Sequence, residues 1–200
     1  MDIDHSFSDN YQPLLLQQIA AGDQAAFRQV YIYFYRRLYQ FALAIVKVRE
    51  ASEEIVEDVF IRIWQQRADV PAIQNLRVYL YTATKNTSLN YLSKKARESI
   101  TQPFDHIHVG MSGSAVTPEQ ILLTAEMYRK VQEAVDALPP RCKMIFKLVR
   151  EDGLKYKEIA GILNISVNTI DAQMAIAVKR IATALRSEFG YLPQKSAVRK

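Results

Sequence analysis

A single cysteine, Cys142, excludes an internal disulfide framework. Histidines number three. The one close pair, His106 and His108, has no cysteine partner nearby, so no metal site is expected. No uninterrupted apolar run exceeds six residues (41–46). A membrane-spanning helix needs roughly 20. The stretch Met1, Asp2, Ile3, Asp4 has no basic region and no apolar run behind it, so no signal peptide is expected. The chain is therefore expected to be cytoplasmic, without membrane insertion. Glycine (6) and proline (7) are scarce in 200 residues, which favours long regular elements. No glycine-rich phosphate loop, nucleophile–base arrangement or carboxylate pair with a pocket stands out. An enzyme is not expected, and no cofactor is implied.

What is present is charge, unevenly spread. Residues 1–97 hold 12 Lys/Arg against 10 Asp/Glu, residues 98–120 hold three acids and no base, and residues 121–200 hold 14 bases against 8 acids. A net charge of +5 and a pI of about 9.2 point to a polyanionic partner. The acidic stretch 98–120 also carries Pro103, Gly110, Gly113 and Pro118 and lacks apolar periodicity. It reads as a flexible linker, because so long a structureless stretch is unusual inside one domain.

Both flanks show helical periodicity, and strand-like alternation is absent at length. Asp23 follows Gly22 and can cap a helix of about 25 residues. Its apolar face holds Phe27, Val30, Tyr31, Phe34, Leu38, Phe41, Ala42 and Ile45. A second helix, opened by Ser52 or Glu53, has an apolar stripe of Ile55, Val56, Val59, Phe60, Ile63 and Trp64. Residues 67–75, with Pro71, read as a loop. Residues 76–95 read as a helix with Leu80, Ala83, Leu89 and Leu92 on its apolar side. After the linker, helices are expected at 121–138, 141–150, 156–163 and from about 167 to 185. Pro139 and Pro140 stop the first of these.

Residues 156–170 carry the turn chemistry of a helix-turn-helix. Asn164 tolerates a left-handed conformation, Ser166 can cap the second helix, and Ile165 and Val167 are expected to fill the gap between helices. The second helix can then enter a DNA major groove. Lys155 and Lys157 add charge. Cys142, between Arg141 and Lys143, reads as a small buried thiol. The stretch 77–97 carries five bases and no acid, interleaved with Tyr79, Tyr81 and Tyr91. That pattern suits a phosphate track with stacking surfaces for single-stranded DNA, although at least one tyrosine must belong to the core.

Several of these stretches resemble one family. Residues 52–64, with Glu54, Glu57, Asp58, Val59, Phe60, Arg62 and Trp64, resemble the core-polymerase-binding helix of bacterial RNA polymerase sigma factors. The likeness is to the extracytoplasmic-function (ECF) type of the sigma-70 family. Residues 76–86 with Asn90, Tyr91 and Leu92 are similar to its −10 recognition helix, and Gly22 to Phe27 to its opening helix. Leu138, Pro139, Pro140 and Arg141, with the helix-turn-helix, resemble its −35-binding domain.

The resemblance implies a non-catalytic factor that binds core RNA polymerase, directs it to promoter DNA and helps melt the duplex. It implies core contacts from Glu54, Glu57, Asp58 and Arg62, with Phe60 and Trp64 left to the core. The −10 DNA-binding set is Arg77, Lys85, Asn86, Asn90 and Lys94, with a base pocket involving 67–75. It also implies control by a separate anti-sigma factor.

Many family members carry arginines early in the recognition helix, where this chain has Asp171, Ala172, Gln173, Met174, Ala175 and Ile176. Phosphate anchoring is then expected from Arg141, Lys143, Lys155 and Lys157, helped by Lys179 and Arg180. Asn168, Thr169, Asp171 and Gln173 are expected to face the groove, with Met174 and Ile176 packing.

The expected fold is all-α: two helical domains joined by a flexible linker, the C-terminal one a helix-turn-helix. The boundaries are a tail at 1–14, a first domain at 15–97, the linker at 98–120, a second domain at 121–187 and a tail at 188–200. The alternatives are a stand-alone helix-turn-helix regulator, which leaves the Glu54, Glu57 and Asp58 face unexplained, and a helical interaction protein such as an anti-sigma antagonist.

Overall fold

In a computed structural model, residues 12–99 and 122–189 are described. Positions 100–120 of the expected linker, with His106 and His108, lie outside them. All regular elements among the described residues are helical: α1 (Gln12–Ala20), α2 (Gln24–Val46), α3 (Arg49–Gln65), a 3-10 helix (Arg67–Ala72), α4 (Leu76–Ser99), α5 (Leu122–Asp136), α6 (Pro140–Arg150), α7 (Tyr156–Leu163) and α8 (Val167–Phe189). They group into two compact units. One holds α1–α4 with residues 157–164, and the other holds α5, α6 and α8. Within the first, Asn75 Nδ2 donates to Glu158 Oε1 at 3.0 Å.

The first unit is organised on α2, which packs against both α3 and α4. Gly22, at φ +87°, ends α1, and Asp23 then starts α2, its Oδ1 accepting from the backbone N–H of Ala25 (2.8 Å) and Ala26 (3.1 Å). Such a cap is worth about 1 kcal/mol. The left-handed Lys47 ends α2. Val30, Phe34, Leu38, Phe41 and Ala42 of α2 are buried, as are Ile55, Val56, Val59 and Ile63 of α3 and Leu76, Leu80 and Tyr81 of α4. Phe41 meets Tyr81 edge-on with ring centres 5.0 Å apart, a geometry that adds about 0.5–1.5 kcal/mol beyond area burial.

Three sequence expectations change here. Helix α3 starts at Arg49 rather than at Ser52 or Glu53. Ser52 is fully buried and its hydroxyl donates to Val48 O at 2.6 Å, so it sits inside the helix instead of capping it. Residues 67–72 form a 3-10 helix rather than open loop, closed by Ile73 N–H to Val70 O at 3.0 Å. On α4, Leu89 is 47% exposed, and the buried face is built from Leu76, Leu80, Tyr81, Thr84, Thr87 and Ser88. Ser88 satisfies its hydroxyl on Thr84 O at 2.8 Å, so polar residues enter this interface without breaking the helix.

In the second unit, α8 packs against both α5 and α6. Val135, Leu138, Cys142 and Ala177 form a buried cluster, with Val131, Phe146 and Ile181 against it. Pro140 occupies the first turn of α6, where a missing N–H costs nothing. Burial raises the Cys142 thiol pKa, an effect that outweighs the opposing pull of Arg180. The thiol donates to Gln173 O at 3.2 Å. The folded protein should therefore resist alkylation by iodoacetamide at pH 8, with fast modification only after denaturation. Mass spectrometry of the native and unfolded chain checks this; rapid native labelling would mean an open α6–α8 contact.

Candidate functional site

Helix α3 divides cleanly. Ile55, Val56, Val59, Phe60 and Ile63 are buried, while Glu54, Glu57, Asp58 and Arg62 are all exposed. Ile61 stands among them, 52% exposed. It falls outside the apolar stripe of α3, so helical periodicity gives it no role. Trp64 is half-buried, its ring 5.0 Å from Phe27 and its face covered by the Arg67 guanidinium at 5.1 Å. Tyr31 and Tyr35 of α2 border this face. Burial raises both phenol pKa values, and Glu57 adds to each shift. A phenol is already neutral at physiological pH, and both shifts reinforce that, so each tyrosine keeps its hydroxyl proton as a donor.

On α4 the expected residues separate into two groups. Tyr79, Asn86 and Asn90 lie along the exposed side, and Lys94 is also exposed farther on. Arg77 and Lys85 are half-buried at the flanks. Of the three tyrosines, Tyr81 belongs to the core, Tyr91 is half-buried and Tyr79 is 37% exposed.

The segment before α4 is held from a distance. Gln12 Nε2 donates to Gln74 O at 2.9 Å, and Gln12 Oε1 accepts from Leu76 N–H at 3.2 Å. Asn75 Oδ1 accepts from Val78 N–H at 3.0 Å and so caps α4. Helix α1 packs on the 3-10 helix through a face that buries Leu15, Leu16 and Ile19. No local pattern marks Gln12, and only its partners, more than 60 positions away, give it meaning.

The helix-turn-helix chemistry is as the sequence predicts at Asn164 (φ +55°) and Ser166. Ser166 Oγ accepts from Thr169 N–H at 3.0 Å and shares a hydrogen bond with Thr169 Oγ1 at 2.8 Å. Arg141, Lys155, Lys157, Asn168 and Asp171 are exposed; Thr169 and Gln173 are half-buried. Two packing expectations fail. Val167 is 39% exposed, and Ile170, not Val167, is the buried residue of the first turn. Met174 is buried as expected, but Ile176 is 41% exposed, because the heptad-like spacing of Ile170, Met174 and Ala177 already fills the inner face.

No group of three or more metal-ligating side chains occurs among the described residues. No single described helix is long and apolar enough to cross a membrane.

Comparison with known proteins places this geometry. Residues 30–98 match the family model for sigma-70 region 2, and residues 128–181 match that for sigma-70 region 4. The chain is 25% identical over 167 residues to the ECF RNA polymerase sigma-E factor of Escherichia coli K12, covering 80% of this chain and 87% of that protein. It is 24% identical over 183 residues to the probable RNA polymerase sigma factor RfaY of Xanthomonas campestris, covering 91% of this chain and 46% of that protein. The solved structure of the sigma factor RpoE of Bartonella quintana, in complex with the anti-sigma factor NepR, shares the fold. Its TM-score is 0.53 at 19% identity, over 81% of this chain and 98% of that one. Two sigma regions in the order the sequence predicts, with homologues matching along most of the chain, make this protein a member of the sigma-70 family of RNA polymerase sigma factors, of the ECF type.

Proposed function

We propose that this sigma factor divides its work among three faces. The exposed face of α3, through Glu54, Glu57, Asp58 and Arg62, docks on core RNA polymerase. The exposed side of α4, through Asn86, Asn90 and Tyr79 with Arg77, Lys85 and Lys94 at its flanks and end, takes the −10 DNA, and residues 67–75 contribute a base pocket. The helix-turn-helix, anchored by Arg141, Lys155 and Lys157, takes the −35 element, with Asn168, Thr169, Asp171 and Gln173 at the start of α8.

The observation that carries this reading is the presence of two chemically opposed faces on one helical unit. An acidic face on α3 and an acid-free stretch from 77 to 97 on α4 serve partners of opposite charge. Along the sequence the two functional domains are assigned to 15–97 and 121–187, on either side of the acidic stretch 98–120, although residues 157–164 group with the first compact unit. The protein performs no catalysis itself and works in the cytoplasm, where the polymerase is. The Bartonella relative is seen with an anti-sigma factor, and a separate anti-sigma protein is the proposed regulator here too.

Reconstitution tests the function. The purified chain is added to core polymerase and fragmented genomic DNA of its source, and run-off transcripts are mapped at their 5′ ends. Shared −10 and −35 elements upstream of the mapped starts are expected. Specific DNA binding without polymerase, and no sigma-dependent transcript, would support a stand-alone regulator instead.

Gln12 enters as a positioning residue for the base pocket. Gln12→Met keeps side-chain length and removes both hydrogen bonds. It should slow conversion of closed to open complexes by about tenfold, in line with two bonds of ~0.5–1.5 kcal/mol each. Closed-complex affinity should hold. Abortive-initiation kinetics separate the two steps; equal losses in both would mean a general effect on folding.

A further inference from the structure

The outward face of α8 has few hydrogen-bonding groups to offer DNA. From Val167 to Val178 the only charged residue is Asp171. The Thr169 hydroxyl is engaged with Ser166, and Gln173 is half-buried. Asn168 and Asp171 are exposed, and at the next i+3 and i+4 positions on the same side stand Ala172, Ala175 and Ile176. All three are exposed, and none belongs to the buried cluster beneath.

One exposed apolar side chain on a surface means little. Three at consecutive helical spacing, directly after two polar groups, present a continuous apolar strip. Small side chains also let a helix backbone approach base edges closely. In the major groove the one apolar group on any base edge is the C5 methyl of thymine, and alanine-sized and aliphatic side chains are its usual contacts.

Resting on the reading of α8 as the −35 recognition helix, we propose that Ala172, Ala175 and Ile176 read thymine C5 methyl groups. Asn168 and Asp171 supply the hydrogen bonds ahead of them. Specificity then comes from apolar contact rather than from arginine. Asp171 repels phosphate and can accept from a cytosine amino group, so the element should place a cytosine beside the thymines. Attraction to the backbone is left to Arg141, Lys155, Lys157, Lys179 and Arg180, all exposed.

Deoxyuridine substitution is the direct test, because it deletes the methyl group and leaves every hydrogen-bonding edge unchanged. The probe is a promoter fragment recovered by the run-off mapping, with each −35 thymine replaced in turn, titrated with holoenzyme. Closed-complex affinity should fall about fourfold for each methyl in contact. Ile176→Ala and Ala172→Ser holoenzymes should bind the unmodified promoter more weakly and lose most of that sensitivity.

If base-pair changes in the −35 element weaken binding but deoxyuridine does not, the methyl proposal is overturned while the reading of α8 stands. If neither matters, that reading itself fails. If deoxyuridine weakens the parent and both variants equally, the methyls act through DNA shape and the proposal is overturned. Loss of core polymerase binding in Ile176→Ala, with methyl sensitivity intact, would assign that side chain to a protein partner and overturn it too. Ile176 also lines a groove with Ala134 and Ala137 of α5, so that last outcome has a defined structural origin.

Discussion

Reversing both Glu57 and Asp58 to lysine should abolish binding to core polymerase while leaving the chain folded. Both side chains are exposed, and the buried stripe of α3 lies on the other face, at Ile55, Val56, Val59, Phe60 and Ile63. The substitution therefore deletes no core contact, and surface changes of this kind usually stay within about 0.5 kcal/mol of the parent stability. Docking is affected differently. Two reversals change the charge of the face by four units and place lysines where a basic partner approaches. Like-charge juxtaposition at an interface costs several kcal/mol, so affinity should fall by a factor on the order of 100 or more.

Titration of labelled core polymerase with parent and variant measures the loss, and thermal melting followed by circular dichroism monitors the fold. Ile61→Ala is the useful companion. An isoleucine 52% exposed in the middle of a charged face is placed as an apolar anchor within a polar rim. Its truncation should weaken docking about tenfold, with little dependence on salt, whereas the effect of single charge substitutions should shrink as salt rises. Normal core binding by the double reversal would remove α3 from the interface.

Some of these elements are legible in the sequence and others are not, for physical reasons. Asp23, Asn164 and Ser166 act on their own neighbours, so cap and turn chemistry is legible from a few residues. The stripes of α2 and α3 are legible because their buried faces are made of apolar residues. Helix α4 is not, because its buried face includes Thr84, Thr87 and Ser88 while Leu89 points outward. Hydrophobicity alone then assigns the wrong side. Ser52 misleads similarly: a residue that favours caps is taken into a helix when its small size is needed in a tight core.

Among candidate site residues, exposure sorted the α3 set as expected. Thr169 carries ordinary DNA-reading chemistry, yet the engagement of its hydroxyl with Ser166 is invisible in composition, as is the half-burial of Gln173. Gln12 is the extreme case. Its two hydrogen-bond partners lie 62 and 64 residues ahead, so no local pattern could reveal it.

Asn86→Ala should leave core binding and closed-complex formation unchanged and reduce open complexes by about ten- to a hundredfold. Alanine is a better helix former than asparagine by several tenths of a kcal/mol, so the substitution strengthens α4 rather than weakening it. Asn86 is exposed and no core contact is lost. Any defect must then arise from what the side chain does for DNA. Opening the duplex requires a base to leave the stack at a cost of a few kcal/mol, and a hydrogen-bonding pocket offsets that cost. One good amide contact to a base contributes about 1–3 kcal/mol, which sets the expected range.

Tyr79, on the same exposed side, should act by a different force. Stacking of a freed base on its ring is worth about 1–3 kcal/mol, so Tyr79→Ala should show a comparable loss and Tyr79→Phe should retain most activity. Tyr81 serves as the contrast. It is buried against Phe41, so Tyr81→Ala should lower the melting temperature and all activities together. Permanganate footprinting of the −10 region, compared with filter binding of closed complexes at low temperature, separates the two steps. Normal permanganate reactivity with Asn86→Ala would place strand capture elsewhere on the protein, with residues 67–75 as the next segment to test.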